Sequence, residues 1–433
     1  EAFKSKFHEK NWNEVIRDAA KPTNGDGPTA DYAPDWRDTL LRRPDTERAR
    51  GAPHAILANA VIALTYAPEW AGAVGYDEFA AQITVQRALP WGEAPGRPWT
   101  DQQDRKLADW LQHERIMVST EVAGEAVQTV AMDRPYHPCR DYLRSLKWDG
   151  EARLDWWLRT YLGAEASEYV AAIGRRWLVS AVARILRPGC KADCVLVLEG
   201  LQGIGKSTAG ATLFEPWFCD HLPDLASKDA FIQLSGMWCV EIAELNAISR
   251  ADSRQIKSFL SSSTDRYRLP YGRRAIDVPR STVFLGTCND SSWGRDETGN
   301  RRMWPVRCAR TDLDIATLRA DRDQLWAEAV ARYDEGCAWW VDNRILRRLA
   351  EEQQADRYEG DTWDGEINDW ARLRDTVSIP EILYECLKKD RDKWTRADQM
   401  RIASSLTAAG WERYRKAGAG SREWRYRRPD DSE

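Results

Sequence analysis

Apolar residues recur at helical spacing in the first third of the chain. The apolar positions between Ile56 and Leu64 lie three or four residues apart, which predicts an amphipathic helix. A capping-box pattern from Thr100 to Gln103 predicts the start of a second helix. The short apolar run Ile116–Val118 predicts a strand, and Glu121–Met132 has helical spacing again. We expect residues 1–135 to form a small helix-rich module after a loose polar start, either a winged-helix-like DNA reader or a packing domain.

The pattern in the middle of the chain changes to alternating strands and helices. From Cys139 to Leu186 the apolar spacing is helical throughout, which predicts a helical collar over residues 136–187. After a Pro-Gly break, the run Cys194–Leu198 has the length and uniform apolarity of a buried parallel strand. Residues 188–355, including the helices that end them, are therefore predicted to form an α/β core built on a parallel sheet.

The last part of the chain, residues 356–433, is predicted to be a linker followed by a small domain. Helical spacing over Ile379–Leu387 and Ala397–Ala409 is followed by two strand-like runs, Trp411–Arg415 and Glu423–Arg427, around a glycine-rich turn. Two helices followed by a two-stranded wing is a winged-helix outline.

The predicted wing is strongly basic. Between Arg413 and Arg428 there are seven basic residues against the single acid Glu423, a local charge of +6. Such a surface is suited to the phosphates of duplex DNA. A basic tail that only increases solubility is the alternative.

Composition excludes several classes of protein. Of the 433 residues, 43% are hydrophobic and 30% charged, and no stretch approaches the roughly 18 apolar residues that a membrane span needs. The net charge of −5 means that any affinity for nucleic acid must come from local basic patches. Nine cysteines are scattered, and the closest pair, Cys190 and Cys194, has no second pair at zinc-site spacing. We expect reduced thiols in a cytoplasmic protein without membrane contact.

A phosphate-binding loop follows the first predicted strand of the core. Residues 200–207 read GLQGIGKS and match G-x-x-x-x-G-K-[ST] directly after an apolar strand. Glycines allow backbone N–H groups to point at phosphate, the lysine reaches the terminal phosphates, and the serine hydroxyl can bind Mg²⁺. The predicted ligands of the nucleotide and its metal are Gly200, Gly203, Gly205, Lys206, Ser207 and Thr208.

Polar residues at the ends of two further apolar strands complete the predicted ATPase site. Glu241 and Glu244 end the strand that begins near Met237, and they are candidates for binding Mg²⁺ and polarising the attacking water. Glu241 is assigned to the metal, although the sequence alone leaves the division of roles open. Asn289 follows another apolar strand, where it can sense the γ-phosphate, or it can simply open a turn.

Paired arginines follow this strand in the sequence. Arg301 and Arg302 precede a further apolar run, Met303-Trp304. In ring ATPases such a guanidinium completes the site of a neighbouring subunit by stabilising charge on the transferred phosphoryl group. This interpretation predicts a homo-oligomer, whereas ordinary surface arginines would carry no such implication.

A basic hairpin is predicted between the acidic strand and Asn289. From Asp265 to Arg280 there are five arginines and two aspartates, a local charge of +3, with a turn around Tyr271-Gly272. Arginines can contact phosphates and aromatic rings can stack on bases, which favours a single-stranded nucleic-acid groove over a merely solvated hairpin. The predicted nucleic-acid contacts are Lys257, Arg266, Arg268, Tyr271, Arg273 and Arg274.

These motifs together resemble the virulence-associated protein E family of phage and genomic-island ATPases, which is close to the superfamily-three helicases. The resemblance spans roughly residues 138–333. It rests on KAD at 191–193, LEGLQGIGKST at 198–208, SKDA at 227–230, EIAEL at 241–245, PYGR at 270–273, TCN at 287–289 and DETGNRR at 296–302.

The resemblance implies an AAA+-type P-loop core and a hexameric ring that uses ATP and Mg²⁺. It also implies translocation on single-stranded DNA held in a central pore lined by the hairpin. The setting would be replication of phage or mobile-element DNA in a bacterial cytoplasm, often with a primase nearby. Residues 1–135 carry no primase motif, so priming either precedes Glu1 or does not belong to this protein.

The function predicted from the sequence is an ATP-dependent DNA helicase. The alternative is an ATP-switched DNA-binding initiator, or a defence-related assembly ATPase, that organises subunits without unwinding. A P-loop kinase ranks third, because the paired arginines and the basic hairpin would then have no purpose.

Overall fold

The computed structural model describes residues 35–44, 51–224, 227, 230–245, 250–268, 274–289, 300–357, 362–416 and 423–428. The chain divides into two compact units, Glu1–Pro138 and Cys139–Glu433. Within the described ranges, no helix combines the length and the apolar character that crossing a membrane requires.

The first unit combines helices with a small sheet. The elements are a 3₁₀ helix at Trp36–Thr39, α1 (Leu57–Tyr66), β1 (Val74–Asp77), β2 (Gln82–Val85), α2 (Asp101–His113), α3 (Thr120–Met132) and β3 (Pro135–Tyr136). Strand β1 pairs with β2 in the antiparallel sense and with β3 in the parallel sense. The predicted capping box is confirmed, because Thr100 and Gln103 cap the first turn of α2 reciprocally.

An aromatic cluster forms the core of this unit. The buried ring of Trp70 lies 5.6 Å from Trp91, 6.3 Å from Trp99 and 5.5 Å from Trp110, measured between ring centroids. The prediction of a strand at Ile116–Val118 is wrong: this segment connects α2 to α3 and pairs with no strand in the described chain. Ile116 and Val118 are buried in the core whereas Met117 is exposed, so burial of two residues, not sheet pairing, explains the pattern.

The second unit is built on a five-stranded parallel sheet, which confirms the predicted α/β core. The strands are β4 (Val195–Glu199), β5 (Phe218–Cys219), β6 (Cys239–Ile242), β9 (Val283–Cys288) and β10 (Met303–Arg307). Their order in the sheet is β10-β4-β9-β6-β5, and each neighbouring pair is parallel. Because all strands run the same way, their carboxyl ends meet at one edge of the sheet and their amino ends at the other.

Helices cover both faces of this sheet. The ring of Phe284 in β9 contacts Phe259 in a helix on one face, with centroids 5.7 Å apart, whereas the next residue, Leu285, lies against Gly210 in a helix on the other. The helices are α4 (Pro138–Ser145), α5 (Trp157–Leu162), α6 (Glu168–Leu186), α7 (Lys206–Phe214), α8 (Ala230–Gln233), α9 (Arg250–Leu260), α10 (Ile315–Asp334) and α11 (Arg344–Ala355). Strands β4 and β9 are fully buried, as their apolar pattern predicted.

The remaining elements of the second unit are a hairpin and a small C-terminal group. The hairpin consists of β7 (Thr264–Tyr267) and β8 (Ile276–Pro279), paired in the antiparallel sense. The C-terminal elements are α12 (Asp364–Ala371), β11 (Thr376–Val377), α13 (Ile379–Glu381) with a π-helical turn (Ile382–Cys386), α14 (Arg396–Ala408), β12 (Glu412–Lys416) and β13 (Glu423–Arg427). Strand β13 pairs with both β11 and β12, so the sheet has three strands where the sequence predicted two.

Candidate functional site

The phosphate loop connects β4 to the first turn of α7 at the carboxyl edge of the sheet. Gly203 and Gly205 have φ values of +82° and +100°, which side chains other than glycine adopt only with strain. A Cβ atom on Gly200 would lie 2.8 Å from the carbonyl oxygen of Cys308, so this position also needs glycine. Ser207 and Thr208 are exposed in the first turn of α7, where unpaired N–H groups and the helix dipole favour an anion.

Lys206 is folded back onto the loop. Its Nζ donates to the carbonyl oxygens of Gly200 at 2.7 Å and Leu201 at 2.8 Å, and to Oδ1 of Asn289 at 3.2 Å. Only 7% of the residue is exposed, and burial lowers the pKa of the ammonium group. The structure therefore brings together the predicted lysine and the predicted sensor asparagine.

Glu241 lies in β6 beside the loop serine. Its Oε1 accepts hydrogen bonds from Ser207 Oγ and Thr287 Oγ1, both at 2.6 Å, and the residue is 1% exposed. A hydroxyl and a carboxylate held together in this way are the hard oxygen donors that Mg²⁺ binds, so the residues fit the metal. Thr287 was not assigned a role from the sequence, although its position within the TCN motif could have indicated one.

Glu244 is placed differently from Glu241. Strand β6 ends at Ile242, Glu244 has φ of +51° in the following segment, and its side chain is exposed. The chain thus leaves the strand direction before Glu244. Of the two acids, Glu241 is the one that accepts from Ser207.

A buried ion pair holds the strand residue that directly precedes the phosphate loop. Glu199, the last residue of β4, is 2% exposed and accepts from Nε of Arg357 at 3.0 Å and from Nη2 at 3.0 Å. Arg357 lies just beyond the end of α11, and its Nη1 also donates to Gln353. The residue that precedes Gly200 is therefore held by the chain that follows α11.

The paired arginines lie at the opposite edge of the sheet. Both end a 3₁₀ helix at Asn300–Arg302, directly before β10. Nε of Arg302 lies 3.0 Å from Oδ2 of Asp193, and the two side chains are 17% and 13% exposed. Arg301 is exposed. The two predicted catalytic arginines therefore differ, because one is held within its own chain and the other faces solvent.

The described part of the basic hairpin presents exposed arginines. Arg266 is 75% exposed and only loosely paired, with its Nε 3.7 Å from Oδ1 of Asp277, and Arg268 and Arg274 are also exposed. The predicted contacts Tyr271 and Arg273 lie outside the described residues. Two antiparallel strands with exposed arginines agree with the predicted hairpin.

Two basic residues counted with this region are buried instead. Arg280 is fully buried: its guanidinium pairs with Asp265, donates to the carbonyl oxygen of Phe259 and lies 4.3 Å from the centroid of that ring. The buried arginine and the buried aspartate cancel in the count, so the local charge stays +3 and comes from the four remaining arginines and Asp277. Lys257 is only 8% exposed in α9, so the structure does not place it on a nucleic-acid surface.

The C-terminal hairpin also uses part of its positive charge internally. Arg425 pairs with Glu381 at 2.8 Å and Arg427 with Glu412 at 3.2 Å. Arg413 instead lies over the ring of Trp424, with its Cζ 4.1 Å from the centroid, and Trp424 is 45% exposed. Counting charges along the sequence thus overestimates what this surface offers to a polyanion.

Half of the chain matches a known family. Residues 143–359 match the family described as the virulence-associated protein E-like domain. No curated protein matches the chain. The apo structure of the NrS-1 C-terminal region aligns with a TM-score of 0.45 at 13% identity, covering 82% of this chain and 96% of that chain. The A-form apo structure of the same region aligns with a TM-score of 0.44 at 12% identity. The family match includes the phosphate loop, both acidic residues, the hairpin and the paired arginines.

Proposed function

This chain belongs to the virulence-associated protein E-like domain family, and we propose that it is an ATP-dependent DNA helicase that forms a ring and acts in the replication of phage or mobile-element DNA. The observation that carries the proposal is the convergence of Lys206, Glu241 and Asn289 at the carboxyl edge of the sheet, beside the phosphate loop. Each comes from a different segment of the chain, and together they have the functional groups that a triphosphate and its metal require.

The roles proposed for these groups follow from their positions. The loop N–H groups and the ammonium group of Lys206 bind the phosphates once its contacts with Gly200 and Leu201 are released. Ser207 and Glu241 hold Mg²⁺, which when bound neutralises charge on the phosphate oxygens. Asn289 orients the attacking water.

Glu244 is proposed to act as the base, since it is exposed and carries no metal-binding contact. Its carboxylate accepts a proton from the water as the water oxygen bonds to the γ-phosphorus. The bond from that phosphorus to the β–γ bridging oxygen breaks, giving ADP and phosphate.

The position of the paired arginines supports an oligomer. They precede β10 at Met303, which is paired with Val195 at the start of β4, whereas the phosphate loop begins after the end of β4. A strand of this length separates its two ends by about 13 Å. An arginine at the amino edge therefore acts on a nucleotide held by another copy, and repeated head-to-tail contacts of this kind close into a ring, proposed to be a hexamer.

DNA is the proposed second substrate. Exposed Arg266, Arg268 and Arg274 supply phosphate contacts for a single strand in the pore of the ring. The C-terminal elements are proposed to be a winged-helix-like domain that contacts duplex DNA through Arg413 and Trp424. Residues 136–187 are proposed as the collar of the ring, and a primase or another replication protein as its partner.

A strand-displacement assay with ATP and Mg²⁺ tests this function. The wild-type protein is expected to hydrolyse ATP, to do so faster with single-stranded DNA, and to displace a labelled strand. The triple variant Arg266→Ala, Arg268→Ala, Arg274→Ala is expected to keep basal hydrolysis and lose displacement. With about 0.7 counterions released per phosphate contact, the slope of log affinity against log salt for single-stranded DNA should fall by about 2.

The matched control is Arg348→Ala, which removes an exposed arginine of α11 outside the hairpin. It should behave as wild type. Hydrolysis without any displacement by the wild-type protein would favour an initiator or assembly ATPase over a helicase. Continued stimulation of the triple variant by DNA would contradict the role of the hairpin.

A further inference from the structure

Three consecutive residues with metal-binding side chains lie at the end of the outermost strand of the parallel sheet. Cys219 is the last residue of β5, and Asp220 and His221 follow it directly. Strand β5 comes last in the sheet order and pairs with β6. Three strand spacings, about 14 Å, separate β5 from β4, so these residues lie at the carboxyl edge but apart from the phosphate loop.

The side chains of the three residues converge. Sγ of Cys219 lies 3.5 Å from Nδ1 of His221, and the same nitrogen lies 3.1 Å from Oδ1 of Asp220. One ligand atom from each residue lies within 4.8 Å of both others. Successive side chains of a strand point to opposite faces, so this convergence depends on the strand ending at Cys219.

The spacing of the donor atoms matches a tetrahedral zinc site. Bonds of about 2.3 Å to sulfur and about 2.0 Å to nitrogen or oxygen place the donors of such a site about 3.3 to 3.5 Å apart. The separations of 3.5 Å and 3.1 Å lie close to these values. The side chain of Asp220 is 81% exposed, so its carboxylate can turn toward the sulfur without disturbing the core.

The chemistry of the donors selects the kind of cation. A thiolate, a neutral imidazole and a carboxylate together carry two negative charges, which one divalent ion neutralises. Sulfur and nitrogen ligands suit Zn²⁺, whereas Mg²⁺ takes oxygen ligands. The donor set therefore differs from that of Ser207 and Glu241, which offer oxygen alone.

An ordinary surface ion pair accounts for only part of this arrangement. His221 beside Asp220 is a common exposed contact that contributes little to stability. It does not explain why the sulfur of Cys219 lies against the same imidazole nitrogen. A shared cation explains the position of all three donors.

We propose that Cys219, Asp220 and His221 bind one Zn²⁺ ion, with water as the fourth ligand. The thiol of Cys219 donates to the carbonyl oxygen of His221 at 3.2 Å. On binding, this proton passes to water and Sγ bonds to the ion. The ion ties the segment after β5 to the end of that strand, beside Val240 in β6. The site is independent of the proposed ATPase, because it shares no residue with the phosphate loop or the Mg²⁺ ligands.

Zinc binding by the full chain tests the proposal. The protein is first treated with a chelator and then titrated with Zn²⁺ in competition with a chromophoric chelator. We expect one tight site per chain. Each of Cys219→Ser, Asp220→Asn and His221→Ala should weaken it by more than the roughly 10-fold to 100-fold that outer-shell groups contribute. Glu241→Gln should leave this site intact.

Cys337→Ser and His113→Ala are the matched controls. Cys337 is partly buried, like Cys219, and His113 is exposed, like His221. Both control variants should bind Zn²⁺ as the wild-type protein does. Without metal, all the variants should unfold at the wild-type temperature, and Zn²⁺ should raise the unfolding midpoint only where the three ligands are intact.

Co²⁺ in place of Zn²⁺ identifies the ligands. A tetrahedral cobalt site absorbs visible light strongly, and a bond from cobalt to thiolate adds a charge-transfer band in the near ultraviolet. The wild-type protein should show both features, and Cys219→Ser should lose the charge-transfer band.

Three results would overturn the proposal, and each would leave the proposed ATPase untouched. Absence of a stoichiometric zinc site in the wild-type protein would reduce the three residues to a surface cluster. Zinc binding that survives in both Cys219→Ser and His221→Ala would place the ion elsewhere in the chain. A cobalt complex without the charge-transfer band would exclude Cys219 as a ligand.

Discussion

The two edges of the parallel sheet hold their charged residues in opposite ways. At the carboxyl edge, Lys206 and Glu241 are bonded to other groups of the same site, and almost no part of either is exposed. At the amino edge, Arg301 and Arg347 border a pocket and have no ion-pair partner in the described chain. The fold itself holds the first group of charges, whereas the exposed cations, with no ion-pair partner among the described residues, remain available to water or to a second molecule.

The largest effect is expected at the carboxyl edge, where Glu241 and Glu244 have different surroundings. Glu241→Gln keeps an oxygen that can accept from Ser207 and Thr287 but removes the charge that is proposed to bind Mg²⁺. We expect ATP turnover to fall by about 100-fold or more, with half-maximal activity at a higher Mg²⁺ concentration. The measurement is a Mg²⁺ titration of the hydrolysis rate.

Glu244→Gln is the comparison for this titration. Turnover should fall by a similar factor because the base is lost, but the Mg²⁺ dependence should stay that of wild type. Equal shifts in the Mg²⁺ requirement of both variants would contradict the division of roles between them.

A second effect, on stability, is expected from the buried ion pair beneath the phosphate loop. Arg357→Met removes the arginine that pairs with the buried carboxylate of Glu199, which should lower the free energy of unfolding by about 3 kcal/mol. Urea denaturation measures the change. Adding Glu199→Gln to this variant should restore part of the loss, because the buried negative charge is then removed as well.

Arg348→Met provides the surface control. Arg348 and Glu352 are 74% and 57% exposed, so breaking this pair should change the stability by less than about 1 kcal/mol. If Arg357→Met and Arg348→Met lost similar amounts of unfolding free energy, the pair of Arg357 with Glu199 would contribute no more to stability than a surface pair.

The smallest effect is expected at the amino edge from the pair Asp193 and Arg302. If Arg302 acts by holding β10 against β4, then Arg302→Ala and Asp193→Ala should reduce turnover by a similar factor, about tenfold. The double variant should be no worse than either single variant, since both break one contact. The measurement is the steady-state kinetics of the two single variants and the double variant, with kcat and KM determined separately for each.

The loss of turnover in Arg302→Ala, compared with the loss in Asp193→Ala, shows whether Arg302 acts only through its ion pair. A much larger loss for Arg302→Ala than for Asp193→Ala would indicate that Arg302 contacts the phosphates directly. In that case Arg302 would act directly, as proposed for the paired arginines, and not only by positioning β10.

The α/β core with its parallel sheet could be predicted from the sequence because its signals are local. The phosphate loop directly follows its strand, and the strands of the sheet are uniformly apolar runs, so composition and position agree. The β7-β8 hairpin was predicted for the same reason, since its two strands and its turn are neighbours in the chain. Short alternating strands in the first unit, such as Val74–Asp77, carry a weaker signal and were missed.

What the sequence could not supply is which charges are buried. Arg280 and Lys257 look like the other basic residues around them until the fold places Asp265 against the first and buries the second in α9. The pocket was equally invisible, because Lys191, Arg301 and Arg347 are far apart in the chain and only tertiary packing brings them together. Charge counting therefore locates a basic region but does not distinguish a salt bridge from a binding surface.

Strand β4 joins the two edges mechanically. It is an inner strand of the sheet, hydrogen-bonded to β10 on one side and to β9 on the other, and it lies between the KAD segment before its amino end and the phosphate loop after its carboxyl end. A strand that is paired on both sides resists stretching and bending. A displacement of the phosphate loop along the strand axis is therefore expected to reach Asp193 and Lys191 at the opposite edge of the sheet.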